Sequence, residues 1–271
     1  MAKELLQLTE DNYYSQQANI DYMSVSQLKD FLECPRYALA KISGEYVETK
    51  GEPLLVGGYV DAYFSNRLNT YIENTPDLLD KRAKEKVVRK GIVDQANDCI
   101  NTIERDNFFI NELKGKKQEI LTGVINGVDF KGALDFDDED DITDLKVIAS
   151  IRELSWNDKL HKKTNFIINN QYDLQGAIYQ ELARQKYNKR KRFRLACVSK
   201  EENPDKAIIQ LPQDMLDNAL ARVYDLIPQF DLMKKGLLEP SGCGNCPICR
   251  KYNKLDRVLT YDELFGEQDN D

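Results

Sequence analysis

From Gln118 to Lys146, apolar and polar residues alternate with the two-residue period of an extended chain. The pattern predicts one strand, a tight turn at Asn126-Gly127, a second strand ending in Gly132-Ala133-Leu134-Asp135, and a third strand over 142–146. Between the last two strands lie five consecutive acidic residues, 137–141. They are too crowded in like charge for burial and are expected in a loop. Alternation puts Asp144 and Lys146 on one side of the third strand and Leu145 on the other. Asp135 ends the neighbouring strand. Two carboxylates and a lysine converging at a sheet edge would seat a hard cation and an activated water. Ordinary surface charge on a hairpin gives the same pattern.

Helical spacing dominates the flanks. Ser26 is the expected N-cap of a helix through Leu28, Phe31 and Leu32, and Pro35, beside Cys34, opens a second short one to Ala40. A helix over 54–68 carries Val56, Val60, Phe64 and Leu68, with Gly57-Gly58 permitting close approach and Asp61 one turn on. The stretch 76–113 reads as a lid or arm of two helices joined near Lys90-Gly91. A helix over 165–186 places Gln175 and Tyr179 four apart on one face, suited to holding a nucleic-acid strand or simply to packing. Strands are expected over 193–198 and 207–211. A final helix runs toward Leu238, with Pro228 bending or dividing it.

Composition narrows the class. Hydrophobic residues make up 41% and charged residues 31%, as in globular proteins, and no apolar run approaches the roughly 18 residues of a membrane span. The first residues, Met-Ala-Lys-Glu-Leu-Leu, lack the apolar segment of a secretory signal, so a cytoplasmic location is expected. The net charge of -8 does not exclude a nucleic-acid partner. Basic residues collect locally at Lys81-Arg82, Lys84, Lys86 and Arg89-Lys90, over 114–117 and over 186–194. Each run is equally compatible with a solvated face.

In a reducing compartment the six cysteines point to metal or cluster ligation more than to disulfides. Cys243, Cys246 and Cys249 lie in a segment, 240–252, where Gly244 and Pro247 allow a loop to converge three thiols. Cys99 and Cys197 have apolar neighbours and read as core, and the single histidine, His161, sits among lysines. Cys34 is then the better fourth ligand, closing the chain's ends into a staple around zinc or an iron–sulfur cluster.

With these constellations in hand, the sequence resembles the PD-(D/E)XK nuclease superfamily, in particular the RecB-like and RecE-like exonucleases encoded by many phages. Ser24-x-Ser26-x-Leu28 followed by Phe31-Leu-Glu-Cys34-Pro35 is similar to the family's opening motif. Gly57-x-x-x-Asp61 falls where a metal-binding histidine is usual. Gln118-Glu119, Gly132-Ala-Leu-Asp135 and Asp144-Leu-Lys146 match the core motifs, and Gln175-x-x-x-Tyr179 matches the downstream one.

The resemblance implies a single α/β (α+β) domain over 1–271, built on a restriction-endonuclease-like mixed sheet flanked by helices. It implies Mg²⁺ or Mn²⁺ held by Asp135, Asp144, Asp61 and the Leu145 backbone carbonyl, with Lys146 catalytic and Glu119 accessory. Gln175 and Tyr179 would position DNA, and Cys34, Cys243, Cys246 and Cys249 would hold a 4Fe–4S cluster, zinc being the alternative. The implied activity is exonucleolytic hydrolysis from DNA ends in phage recombination, inside a bacterial host. A single-strand annealing protein and a homo-oligomeric ring are the implied partners. A non-catalytic DNA-binding or interaction module on the same fold, and a zinc-stapled structural protein, are the rival classes.

Overall fold

The computed structural model describes residues 4–49, 51–80, 83, 87–254 and 257–265. The basic residues Lys81, Arg82, Lys84 and Lys86 lie outside the described residues. Helices α1 (Gln16–Asp21), α2 (Val25–Glu33) and α3 (Pro35–Ser43) come first. Ser24 rather than Ser26 caps α2, its hydroxyl accepting from the Gln27 N–H at 3.2 Å. Ser26 falls inside the first turn, one residue past the start of the helix. Pro35 sits in the first turn of α3 as expected.

Helix α4 (Glu52–Phe64) stops short of Leu68, which instead starts α5 (Leu68–Glu73). One 3₁₀ turn at Pro76–Leu78 precedes α6 (Lys90–Glu104) and α7 (Asn107–Glu112). Lys90-Gly91 therefore begins a helix instead of joining two. Ile92, Ala96, Cys99, Ile100 and Ile103 of α6 are buried against the sheet residues Leu145, Ala196 and Val198. That apolar stripe makes α6 a layer of the fold, where a projecting arm was expected.

The strands are β1 (Lys116–Ile125), β2 (Val128–Asp137), β3 (Asp141–Ile148), β4 (Ser155–Asn157) and β5 (Lys162–Thr164). Helices α8 (Phe166–Asn169) and α9 (Tyr172–Tyr187) follow, broken at Gln171, whose φ of 52° is left-handed. Then come β6 (Arg192–Ser199), β7 (Lys206–Gln210), α10 (Gln213–Val223), α11 (Ile227–Lys234), α12 (Pro247–Lys251) and α13 (Tyr261–Phe265). Pro228 divides the last long helix by sitting in the first turn of α11.

The main sheet has the order β1-β2-β3-β6-β7. All neighbours are antiparallel except β3 and β6, which are parallel because α9 lies in the crossover between them. This is the mixed, helix-flanked sheet of a restriction-endonuclease-like fold. One face packs on α2, α9 and α10 through Leu28, Phe31, Leu174, Ile178 and Leu216. The other packs on α4 and α6 through Leu55, Val56, Val60 and Ile100. Gly176 lets α9 settle onto β6, since a Cβ there would stand 2.3 Å from the Phe193 ring.

Strands β2 and β3 pair only at Phe136↔Thr143 and Asp137↔Ile142, then separate, while β3 stays paired to β6 along its whole length. The sheet thus opens into a fork at Asp135 and Asp144.

The acidic stretch departs from expectation. Asp137 ends β2, Asp141 begins β3, and both are buried. Lys191 Nζ meets Asp137 at 2.6 Å, and Arg192 Nε and Arg194 Nη1 meet Asp141 at 2.6 Å and 3.1 Å. Lys189 pairs with Asp140 and Lys114 with Asp138. Lys117 Nζ donates to the Phe64 carbonyl. The cations of the runs over 114–117 and 186–194 are thus largely paired within the chain, Lys191 and Arg194 below the surface and Lys114, Lys116 and Lys189 at it. Paired in this way, a carboxylate can be buried at tolerable cost.

Candidate active site

The fork opens into a cleft of about 360 Å³ whose wall includes Tyr13, Asp61, Gln118, Asp135, Asp144 and Lys146. Asp144 and Lys146 lie on the side of β3 opposite Leu145, whose side chain is in the core, as alternation predicted. Lys146 Nζ stands 2.5 Å from Asp144 Oδ2, and Gln175 Nε2 donates to Asp144 Oδ1 at 2.8 Å. Asp135 Oδ2 accepts the Leu145 N–H at 2.9 Å. A residue's N–H and C=O point to the same edge of an antiparallel strand, so the Leu145 carbonyl is also directed into the fork.

Gln118 joins the remaining carboxylates. Its Nε2 lies 3.3 Å from Asp61 Oδ1 and 3.2 Å from Asp135 Oδ1. Arg67 reaches Asp61 from the far side at 3.7 Å. Gln118 holds a left-handed φ of 54°, strained for a residue with a Cβ, where the β1–β2 pairing is interrupted opposite Asp135.

Glu119, expected as the accessory acid, faces away from the cleft. It pairs with Lys186 at 2.8 Å and Lys116 at 3.5 Å. The correction was legible in the turn: counting back along the ladder from Ile125↔Val128 sets Gln118, not Glu119, across from Asp135.

Electrostatics set the carboxylates of the fork apart from ordinary surface acids. Burial, and then the charges of Asp144 and Asp61, push the Asp135 carboxyl well above its ordinary value. Burial raises Asp61 as well, against the pull of Lys146 and Arg67. For Lys146, burial opposes the charge, yet Asp144 and Asp135 more than offset it and the ammonium is held more tightly than usual. Hard oxygen donors crowded this way fit a divalent ion such as Mg²⁺ or Mn²⁺.

Three further groups carried no signal in the sequence. Tyr172 lies between two cations, its ring 5.4 Å from Lys146 Nζ and 5.2 Å from Lys29 Nζ. Burial and the Lys146 charge lower Lys29 to about 8. Lys131, in the cleft wall, donates to the Tyr13 carbonyl at 2.5 Å and Asn19 Oδ1 at 2.8 Å, and burial lowers it to about 8. Tyr179 lines the cleft and is pressed against Gly132 of β2.

The second centre joins α3 to the segment before α12. The sulfurs of Cys34, Cys243, Cys246 and Cys249 all lie within 4.8 Å of one another, able to coordinate a metal ion. Cys34 Sγ is 3.6 Å from Cys249 Sγ and 3.7 Å from Cys246 Sγ. Backbone N–H groups of Asn245 and Cys246 pull the Cys243 thiol down to about 6. Cys99 and Cys197 are core residues, as expected.

Among the described residues no helix is long and apolar enough to cross a membrane. No curated protein matches the chain. A solved structure does: a proposed exonuclease from Eubacterium rectale, 35% identical, superposes with a TM-score of 0.89 over 97% of this chain and 99% of that one. Residues 24–252 match the family described as a PDDEXK-like domain of unknown function, a stretch containing every residue of the fork and all four clustered cysteines. The chain belongs to that family, a branch of the PD-(D/E)XK nuclease-like proteins.

Proposed function

We propose that the chain is a divalent-metal-dependent deoxyribonuclease that degrades DNA from its ends. The observation carrying this reading is the convergence of Asp135, Asp144 and Lys146 where β2 and β3 part. Asp135, Asp144, Asp61 and the Leu145 carbonyl would hold Mg²⁺ or Mn²⁺, which supplies Lewis-acid polarisation of the scissile phosphate. Gln175 fixes the orientation of Asp144 through one oxygen. Lys146 would orient or help deprotonate the attacking water and balance charge developing on the phosphate. Tyr179 braces the strand at the cleft wall. End processing in phage recombination, beside a single-strand annealing protein and in a ring of subunits, is the setting the resemblance implies.

The test is cleavage of linear, end-blocked and circular DNA in Mg²⁺ or Mn²⁺. Degradation of linear DNA alone is expected, with Lys146→Ala inactive but still binding. Binding without cleavage in either metal would favour a non-catalytic module.

For the thiolate centre the candidates are a 4Fe–4S cluster and a single zinc ion, and we take zinc as the reading to test. Zinc–sulfur bonds near 2.3 Å place tetrahedral thiolates about 3.8 Å apart. The 3.6 Å and 3.7 Å separations of Cys34 from Cys249 and Cys246 support that reading. Metal analysis of protein purified without oxygen should give one zinc per chain. Stoichiometric iron with a broad absorption near ~400 nm would reverse the assignment.

A further inference from the structure

With the long basic runs largely paired within the chain, unpaired cations are found elsewhere. The β4–β5 hairpin follows the catalytic strand, and its cross-strand pair Trp156↔Lys163 faces outward. Trp156 is 58% exposed, an unusual state for so large a ring, and Leu160 in the turn is exposed too. Neither Lys162 nor Lys163 forms an ion pair among the described residues.

The hairpin's inner side is fixed. Asn169 Nδ2 donates to Ser155 Oγ at 2.6 Å and the Thr164 carbonyl at 3.2 Å, and Asn157 Nδ2 donates to Asn169 Oδ1 at 2.7 Å. The adjacent Asn170 carbonyl accepts from Lys29 Nζ at 2.7 Å. Lys29 faces the Tyr172 ring, and the other neighbour of that ring is Lys146. Lys29 thus stands between the fork and the segment, 169–170, that supports the hairpin.

We infer that the β4–β5 hairpin is a contact for single-stranded DNA: Trp156 stacks on a base while Lys163, its cross-strand neighbour on the same face, meets a phosphate of a strand leading from the fork past Lys29. The occupant follows from charge and position. The cations extend from the place where a scissile phosphate would lie, and an exposed indole offers a π-face to any base, whatever the sequence. The inference rests on the nuclease reading and adds the path of the strand.

Trp156 is the only tryptophan in the chain, so intrinsic fluorescence reports on this residue alone. The probe is a fluorescein-labelled oligothymidylate of about fifteen nucleotides, within the range of single-strand site sizes. Calcium replaces magnesium, to fill an oxygen site without a chelator that would strip the thiolate centre. Expected are quenching of Trp156 emission on binding, about tenfold weaker binding by Trp156→Ala, near-normal binding by Trp156→Phe, and a shallower salt dependence for Lys163→Glu. Unchanged circular dichroism checks that these surface variants fold. Oligonucleotide binding that leaves Trp156 emission and the variants' affinity unchanged overturns the hairpin contact and spares the nuclease reading. No binding by the wild-type protein also overturns the hairpin contact, and cleavage of linear DNA decides the nuclease reading separately.

Discussion

Gln175 donates its side-chain amide to Asp144 Oδ1 at 2.8 Å, leaving the other carboxylate oxygen to Lys146. A residue on the crossover helix thereby sets the orientation of a carboxylate on β3. Gln175→Ala should lower activity by roughly tenfold or more, the worth of a hydrogen bond to a charged group. The loss should shift the metal-activation curve to higher concentration, with thermal stability little changed. An unaltered metal requirement would remove Gln175 from the positioning role.

Gln118 keeps two carboxylates apart with a neutral amide. Gln118→Glu puts a third negative charge between Asp61 and Asp135, a change expected to cost about 1–3 kcal/mol in divalent-free buffer. Added Mg²⁺ or Mn²⁺ should restore most of it. Melting curves with and without the ion measure the difference, and a loss that metal does not rescue would argue against a cation between these groups.

The raised Asp135 carboxyl gives stability a definite pH dependence. Its folded value exceeds its unfolded one, so the folded protein binds the extra proton, and stability falls as pH rises between the two. Asp61 acts in the same direction. Without divalent ions the protein should therefore lose stability as pH rises from the ordinary carboxylate range, about 4, toward neutrality, and saturating Mg²⁺ should flatten the profile by taking the proton's place. Melting temperatures across that range check the sign.

Asp137 and Lys191 form a buried pair, with the Tyr187 hydroxyl donating to Asp137 at 2.7 Å and the Lys191 ammonium 4.0 Å from the Tyr187 ring. Lys191→Met strands the carboxylate and should cost about 3–5 kcal/mol in urea unfolding, more than any exposed pair in the fold. The combined Asp137→Leu, Lys191→Met variant should recover a large part of that loss.

Cys249→Ser should release the segment before α12 from α3. Amide exchange should then rise together in 35–43 and 240–252 and stay unchanged at the fork. Faster exchange in only one of the two segments would mean that they are not fastened through a shared ion.

Period-two alternation was enough to read the β1–β3 ladder and the side on which Asp144 and Lys146 lie, because both depend on neighbours in sequence. What it missed depends on partners far away. The five acids looked unburiable since the cations that neutralise Asp137 and Asp141 come some fifty residues later, in Lys191, Arg192 and Arg194. Glu119 entered through the family resemblance, although the two-residue turn already set Gln118 across from Asp135. Tyr172 and Lys29 approach Lys146 only because α2 and α9 pack on the same face of the sheet, which no local pattern encodes.

The thiol centre has a consequence for biosynthesis. Cys34 and Cys249 are 215 positions apart, so at ordinary elongation rates the first thiol emerges from the ribosome on the order of ten to forty seconds before its last partner. Through that interval the α2–α3 region has no fastening to the rest of the chain at Cys34, and its sulfur is open to oxidants. Starving cells of the centre's metal during synthesis should therefore deplete the protein more severely than withdrawing it once translation has finished.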